Sequence, residues 1–286
     1  MHESREGLIT VHLAVLIFGA TALFSKIIPL SSVDITLYRS VFAVMIIAVY
    51  MAYKKQPYLL YTEKDYLMAM LLGLLLTLHW VSYFYAMQIS SVAVGVIALY
   101  TFPVITVFLE PLFHGEKPHL VDILSSIAVL IGIYIIVPEF SLDNNTTLGV
   151  VWGIFSALMM SLRNIMQRRY FSSHPASKTL FYQAGMVVIL LFLFRDAPVA
   201  DIEVDSWWLL LLLGIIFTAL PHTLFAHGLR HLKAKTASLI ASVQVFYAAV
   251  FAAVILGEWL TWNEIAGGAI IVSAAVFESL QKNKSV

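Results

Sequence analysis

An arginine in the second apolar segment of the chain is under strong physical constraint. Arg39 follows Tyr38 and lies six residues inside the segment 33–53. A cation at that depth in a bilayer costs about 3 kcal/mol or more unless it meets water or a partner. Because a guanidinium can hold a carboxylate through two parallel hydrogen bonds, Arg39 and its neighbour are predicted to bind a substrate carboxylate. The alternative is a structural arginine that reaches the headgroups or pairs with Asp34 or with a backbone carbonyl.

An aromatic and imidazole face follows in the third apolar segment. His79 and Tyr83 are four residues apart, and Trp80 and Tyr83 are three apart, so the side chains share one side of a helix. Such a face inside a bundle can stack on a small organic molecule and hydrogen-bond it. We predict that these residues line a substrate cavity. The alternative is anchoring at headgroup depth, where Tyr and Trp are enriched.

Other candidate binding residues lie in the fourth segment and in the second half of the chain. Tyr100 precedes Pro103, whose ring leaves a backbone carbonyl that must be solvated in a wet or protein-buried site. His222, Gln244 and Tyr247 form similar polar and aromatic faces further on. Substrate binding is the predicted role of Tyr100 and of these three residues. The alternative role is hydrogen bonding between helices.

Two charged residues are candidates for coupling transport to an ion. Glu110 is the acid that lies furthest inside an apolar segment, and Lys26 is near the end of the first one. Each also has a simpler interpretation, because Glu110 can pair with Lys117 near the surface and Lys26 can extend its amine to the headgroups. Arg163 lies near the inner end of its segment and is likewise predicted to reach the surface.

Ten apolar segments position these side chains. Each is close to the roughly 20 residues that a helix needs to cross a bilayer, and the runs are continuous, which favours helices over a barrel. Hydrophobic residues make up 60% of the chain and charged residues 12%, against about a quarter charged in soluble chains. We predict an all-α membrane protein with ten transmembrane helices. Spans one to ten are predicted at 8–28, 33–53, 66–86, 91–113, 119–138, 147–167, 178–195, 206–228, 234–256 and 262–280.

Composition argues against several other functions. The formal net charge is zero, so nucleic acid is not an expected partner. The chain has no cysteine, which removes thiol nucleophiles and cysteine metal sites, and it has no GxxxxGK motif for a nucleotide. We therefore predict no cofactor, no metal site and no catalytic residue.

The distribution of basic residues predicts the orientation. If the N-terminus is inside, the inner segments contain 13 Lys and Arg residues and the outer segments contain Arg195 alone. Basic residues concentrate in cytoplasmic loops, so both termini are predicted to be cytoplasmic. Span one follows Glu3 and Glu6 rather than a basic stretch, so we interpret it as a retained span and not as a signal peptide. The predicted location is the bacterial inner membrane.

The second half of the chain repeats features of the first. At an offset of 142 residues, Gly257-Glu258 falls on Gly115-Glu116 and Arg168 falls on Lys26. Each half contains five spans, an odd number, so the second half must insert upside down. The sequence thus predicts two inverted five-helix repeats, 1–140 and 141–286. Inverted repeats are common in alternating-access transporters, which bind substrate between the halves.

The order of these short motifs in both halves resembles the drug/metabolite transporter superfamily, in its EamA-type branch of two five-helix repeats. The resemblance covers essentially the whole chain and rests on Tyr38-Arg39, Thr101-Phe102-Pro103-Val104, Gly115-Glu116 and Leu256-Gly257-Glu258-Trp259. One departure is Val245, the counterpart of Pro103, preceded by Gln244 where the family often has glutamate. The resemblance implies an exporter or exchanger of amino acids and other metabolites. It also implies a central cavity lined by spans one to four and six to nine, with spans five and ten peripheral or mediating self-association.

The predicted function is a secondary transporter of small organic metabolites such as amino acids, working by alternating access. Its expected partners are a small-molecule substrate, the lipid bilayer and a second copy bound through spans five and ten. Two alternatives stay open. One is an intramembrane enzyme, for which His222, His227 and His231 could hold a metal; the other is a small-ligand membrane sensor.

Overall fold

Helices form all of the regular backbone in the part of the chain that the structure describes. The structure is a computed structural model that describes residues 5–114, 120–137, 140–171, 173–228 and 240–281. Six helical segments are long and apolar enough to cross a membrane, and four shorter apolar helices accompany them. The predicted all-α membrane protein with ten spans is confirmed.

Each predicted span corresponds to one helix or to consecutive helical pieces. Spans one, four, eight and nine are interrupted, whereas the other six are single helices. In chain order the helices are Arg5–Thr21 and Phe24–Ile27 (span one), Ser32–Tyr53 (two), Glu63–Ile89 (three), Val92–Leu99 and Phe102–His114 (four), Leu120–Ile136 (five), Asn145–Phe171 (six), Ala176–Phe192 (seven), Val204–Gly214, Ile215–Ala219 and Leu220–Gly228 (eight), Gln244–Phe251 and Ala252–Leu256 (nine) and Trp262–Gln281 (ten), with a short 3-10 turn at Val199–Asp201.

Polar caps begin several of the helices. Thr62 and Asp65 form a capping box at the start of span three, in which Asp65 N donates to Thr62 Oγ1 at 3.2 Å and Thr62 N donates to Asp65 Oδ2 at 3.0 Å. Ser31 and Ser91 cap spans two and four through their hydroxyl oxygens. Gly257 ends span nine at φ 71°, a left-handed conformation that favours glycine.

Spans four and nine are interrupted at equivalent positions of the two halves. Span four breaks at Tyr100 and Thr101, between its two helices. Span nine has a turn at Val243, which lies 142 residues after Thr101. Discontinuous helices expose backbone groups at the depth where many transporters bind their substrates.

A π-helical segment, Ile215–Ala219, interrupts span eight just before Pro221. Proline has no N–H, so the carbonyl of Phe217 four residues earlier loses its helical partner. Thr21 of span one compensates, because its Oγ1 lies 3.0 Å from Phe217 O and shares its proton with Ile17 O at 3.1 Å. One hydroxyl therefore satisfies a carbonyl of span eight and ties span one to it.

The contacts between spans follow the same pattern in both halves when spans one to five are matched in order with spans six to ten. Span three packs on spans six and seven, and span eight correspondingly packs on spans one and two. Span four packs on six as span nine packs on one, while spans two and seven, four and nine, and five and ten pack on each other. Two repeats related by a two-fold axis produce such a pattern. Binding of a second copy of the chain through spans five and ten stays a prediction.

Polar contacts hold the loops at one end of the bundle, which we call the Lys26 end. Lys26 Nζ donates to Gln88 O at 3.2 Å and to Ser90 O at 2.8 Å, and it lies 3.7 Å from Glu258 Oε1. Glu258 Oε2 accepts a further bond from Val92 N at 2.9 Å. These contacts join span one, the loop between spans three and four, and the end of span nine.

The opposite end, which we call the His174 end, has its own polar contacts. The buried Lys178 donates through Nζ to Leu59 O at 2.9 Å. His174 Nε2 lies 3.8 Å from Asp65 Oδ2, and its ring packs 4.6 Å from that of Phe171. The basic asymmetry of the sequence predicts that this end is cytoplasmic and that the Lys26 end is outer.

Candidate functional site

Arg39 is buried inside the helix bundle. It lies seven residues, about 10 Å, into the helix Ser32–Tyr53. The residue is only 2% exposed. Its guanidinium carbon is 4.1 Å from the centroid of the Trp80 ring and 4.6 Å from that of Phe84. The Nε and Nη2 atoms are buried without a hydrogen-bond partner among the described residues.

The structural alternatives considered for Arg39 do not match this environment, in which no backbone carbonyl of the described residues bonds to its Nε or Nη2. Its burial means that it does not reach the headgroups. Asp34 is engaged elsewhere, because it accepts bonds from Asp196 N at 3.2 Å and Ala197 N at 3.0 Å and so ties span two to the loop after span seven. Arg39 is left as a desolvated cation between aromatic faces, and an anion would relieve the cost of that arrangement.

His79 and Tyr83 lie beside Arg39, on the same helix as Trp80. The two rings are stacked with centroids 6.1 Å apart. Ser156 of span six donates its hydroxyl proton to His79 O at 2.9 Å, so the 2.7 Å contact between His79 Nδ1 and Ser156 Oγ requires a proton on Nδ1. His79 Nε2 is therefore the nitrogen that remains for another partner. Tyr83 Oη is buried and has no partner in the described part of the chain.

His222 occupies the matching place in the second half, 143 residues after His79. Its Nδ1 lies 2.7 Å from Thr218 O, and since a carbonyl only accepts, this nitrogen also carries the proton. The ring packs edge-on against Trp80, with centroids 6.2 Å apart, and against Phe18 at 4.9 Å. His222 of span eight thus contacts the indole of Trp80, the residue that follows His79 on span three.

Arg163 faces into the bundle, so the prediction that it reaches the membrane surface is wrong. Its Nε donates to Oε1 of the fully buried Gln183 at 2.7 Å. Gln183 Nε2 in turn donates to Gln167 Oε1 at 3.0 Å, which fixes the orientation of the Gln183 amide. Arg163 Nη1 lies 3.4 Å from Asn164 Oδ1. The surface is the usual destination of an arginine near a helix end, but here a buried amide provides an internal partner.

Tyr100 links the interrupted spans four and nine. Its hydroxyl lies at the break of span four and donates to Ala241 O, while Gln244 Oε1 is 3.3 Å away. Tyr247 is one turn further along span nine, where its Cβ approaches Gly19 of span one closely enough that a side chain there would collide with it. These three predicted site residues therefore join spans one, four and nine.

The remaining predicted site residues lie apart from Arg39. Tyr38 points to span eight, where its ring packs edge-on against Trp207 with centroids 4.9 Å apart. Lys26 is engaged in the contacts of the Lys26 end. Glu110 belongs to the helix Phe102–His114, but its side chain lies outside the described residues.

The histidines considered for an intramembrane metal do not converge in the described part of the chain. His227 Nε2 lies 3.1 Å from Glu6 Oε1 at the surface, whereas His222 is held by Thr218 O inside the bundle. His231 lies outside the described residues. Over the described ranges, no three His, Asp or Glu side chains form a group that could hold a metal ion.

Six side chains from spans two, three, six and eight form what we call the central cluster: Arg39, His79, Trp80, Tyr83, Arg163 and His222. Contacts link Arg39, Trp80 and His222, and His79 with Tyr83, while Arg163 lies seven residues after Ser156, the span-six partner of His79. Neither arginine has a carboxylate partner among the described residues. A group with two guanidinium ions, hydrogen-bonding nitrogens and aromatic faces is suited to bind a small organic anion.

A polar pocket of about 260 Å³ opens between spans six and seven at the His174 end. Its lining includes Asn164 and Gln167, which contact Arg163 and Gln183 respectively. The pocket therefore approaches the central cluster to within one layer of side chains.

Sequence reasoning missed Ser156, Phe84 and the inward direction of Arg163. Ser156 and Phe84 are unremarkable residues of apolar helices, and only packing shows that they contact His79 and Arg39. Arg163 had one available signal. Gln183 is an amide inside the apolar seventh segment, and a buried polar residue of that kind needs a partner.

Comparison with known proteins identifies a family. The model described as the EamA-like transporter family matches the chain twice, at residues 5–137 and 147–280. The two matched segments together cover nearly the whole chain, and they divide it between spans five and six.

Individual relatives are similar over most of their length. The uncharacterized transporter YxxF of Bacillus subtilis is 25% identical over 89% of this chain and 83% of its own. The pseudopaline exporter CntI of Pseudomonas aeruginosa is 25% identical over 88% of each chain. A solved crystal structure shares the fold, with a TM-score of 0.64, 15% identity and coverage of 96% of this chain and 97% of its own.

Proposed function

The chain belongs to the EamA-like transporter family, and on that premise we propose that it is a secondary transporter of small carboxylate-bearing metabolites such as amino acids. The observation that supports this substrate class is the buried, unpaired guanidinium of Arg39 between Trp80 and Phe84. A carboxylate bound there would satisfy the free donors and neutralise the charge. The similarity to an exporter of one named metabolite is consistent with this proposal.

The other groups of the central cluster would bind the remainder of the substrate. His79 and His222 use Nδ1 for protein contacts, which leaves both Nε2 atoms for substrate or water. Tyr83 contributes a hydroxyl without a protein partner in the described chain. Trp80 follows His79 on span three, packs against His222 and supplies an apolar face for the carbon skeleton.

Alternating access is the mechanism we propose for movement of the substrate. The contacts of Lys26 and Glu258 hold the Lys26 end closed, while the polar pocket approaches the site from the His174 end. The packing pattern stays the same when the two halves are exchanged. This supports a second conformation in which the Lys26 end is open and the His174 end is closed. In this proposal the protein lies in the bacterial inner membrane, both termini are cytoplasmic, and the halves 1–140 and 141–286 are the moving repeats.

The test is transport by the purified protein in liposomes, using a panel of labelled amino acids and other carboxylates. Substrates found in this way are then assayed with Arg39→Ala and Arg39→Lys at equal reconstitution. Arg39→Ala is expected to abolish transport, and Arg39→Lys to retain part of it, because lysine keeps the charge without the two-pronged geometry. Arg195→Ala is the control, since Arg195 is exposed and packs on Phe192. Normal transport by Arg39→Ala would refute the proposal.

A further inference from the structure

The polar pocket at the His174 end has one wall formed by amide side chains of span six. Asn164 and Gln167 are three residues apart on the helix Asn145–Phe171, and Arg168 is the next residue. This spacing places the three side chains on one face of the helix, and all three line the pocket. The chemistry of the pocket therefore depends on which atoms of the two amides face it.

Arg163 determines how both amides are turned. A guanidinium donates hydrogen bonds and accepts none, so each atom that it contacts must be an oxygen. Arg163 Nη1 donates to Asn164 Oδ1 at 3.4 Å. Arg163 Nε donates to Gln183 Oε1 at 2.7 Å, which leaves Gln183 Nε2 to donate to Gln167 Oε1 at 3.0 Å. The oxygens of Asn164 and Gln167 are thus held in this chain of bonds.

The NH2 groups of Asn164 and Gln167 are left for the pocket. Neither group makes a hydrogen bond within the described ranges of the chain. Arg168, which is exposed, adds positive charge to the same wall, while Phe171 and Ala176 supply apolar surface. None of the described residues that line the pocket is acidic. A carboxylate only accepts hydrogen bonds, so it matches this arrangement of donors.

We propose that this pocket is a loading site, separate from Arg39, in which the NH2 groups of Asn164 and Gln167 bind a carboxylate of the substrate at the His174 end. The inference rests on the proposed function and adds a second site to it. Hydrogen bonds from neutral donors are weaker than those from a guanidinium. Weak binding suits a site that must release its ligand to the central cluster. The volume of about 260 Å³ suits a small metabolite.

The experiment measures protection of a single thiol in the pocket. The chain has no cysteine, and Ala176→Cys places one at an exposed position of the lining. Alkylation of the purified full-length variant by the uncharged reagent N-ethylmaleimide is timed with acetate, lactate or succinate, and with acetamide, lactamide or succinamide. At least one carboxylate is expected to slow alkylation about threefold or more, at a concentration where its amide has no effect.

Two isosteric substitutions test the proposed donors, each in the background of Ala176→Cys. Gln167→Glu keeps an oxygen to accept from Gln183 Nε2 but replaces the NH2 group by a negatively charged oxygen. It is expected to abolish the protection by carboxylates. Asn164→Asp makes the same exchange beside Arg163, with the same expected result, and covers the case in which Gln167→Glu does not fold.

Two further variants separate the loading site from other effects. Gln56→Glu is the matched control, because Gln56 Oε1 accepts from Ser177 Oγ at 2.7 Å at the same end of the bundle but does not line the pocket. It adds the same charge and is expected to retain the protection. Arg39→Ala is also expected to retain it, because the carboxylate that protects the thiol is bound in the pocket and not at Arg39.

Three results would overturn the inference. No carboxylate could protect the thiol better than its amide, both isosteric variants could be protected as well as the parent, or Arg39→Ala could lose the protection. The last result would mean that the carboxylate acts from the central cluster. The proposed function is decided separately, by transport in liposomes, so it survives each of these results if Arg39→Ala abolishes transport.

Discussion

The guanidinium carbon of Arg39 lies 4.1 Å from the centroid of the Trp80 ring, on the face of the indole. Trp is the best aromatic partner for a cation, and a desolvated pair of this kind contributes about 2 kcal/mol. The stacking also fixes the plane of the guanidinium, because Phe84 lies 4.6 Å from the same carbon. Trp80 is therefore expected to position Arg39 for substrate in addition to lining the site.

Substitution of Trp80 is expected to weaken substrate binding. Trp80→Leu removes the cation–π contact and should raise the dissociation constant about tenfold or more, whereas Trp80→Phe should cost less because it keeps an aromatic face. The measurement is equilibrium binding of the substrate found in the liposome assay. Trp152→Leu is the control, because Trp152 packs on Tyr85 away from the central cluster. Equal losses in the two Trp80 variants would show that ring stacking is irrelevant to binding.

Thr21 is expected to stabilise the interrupted span eight. Thr21→Val keeps the shape of the side chain but removes the donor to Phe217 O, the carbonyl that Pro221 leaves without a partner. The expected loss is about 1 kcal/mol of stability, seen as a lower melting temperature in detergent. Thr223→Val is the matched control, because the Thr223 hydroxyl bonds to Ala219 O within span eight. A melting temperature equal to that of the control variant would contradict the assignment.

Much of this architecture could be predicted from the sequence because the bilayer imposes a length and a composition on each span. The ten apolar segments all correspond to helices, and the depth of Arg39 in the second segment indicated that this cation needs water or a partner. Its neighbours Trp80, Tyr83 and His79 followed from helical spacing, which places them on one face. Periodicity and hydropathy are local properties, and they predicted local features.

The errors and omissions concern relations between helices, which hydropathy does not encode. Whether Arg163 reaches the surface or a buried amide depends on the rotation of span six against span seven, and that rotation brings Gln183 to it. The π segment before Pro221 depends on a hydroxyl from span one. The contacts of Lys26 likewise involve residues more than 60 positions away in the chain. Such features follow from packing and could not be read from spacing.

Tyr100 is expected to affect movement of the helices more than binding. Its hydroxyl connects the break of span four with Ala241 O and Gln244 of span nine. Tyr100→Phe removes those bonds, each worth about 0.6 kcal/mol between membrane helices, without altering the ring. The transport rate should change severalfold while the dissociation constant stays within about twofold. A variant with an unchanged rate and weakened binding would instead place the hydroxyl on the substrate.

Glu258 is expected to keep the Lys26 end closed. Its carboxylate accepts a bond from Val92 N at 2.9 Å and lies 3.7 Å from Lys26 Nζ, so it fastens the end of span nine to spans one and four. Both partners of the ion pair are about a quarter exposed, so the charge contribution is small. Glu258→Gln should therefore favour opening of this end by up to about fivefold.

The natural absence of cysteine makes this opening measurable. Ser25→Cys places a thiol at a buried position of span one, next to Lys26. Its rate of alkylation reports access from the Lys26 end, and the rate should rise when Glu258→Gln is added. Glu203→Gln serves as the control and should leave the rate unchanged. Glu203 is an exposed acid whose side chain makes no capping hydrogen bond to the helix that follows it. If both acid variants label at the parental rate, then Glu258 does not hold this end closed, and the closure must come from the apolar packing of spans one, four and nine.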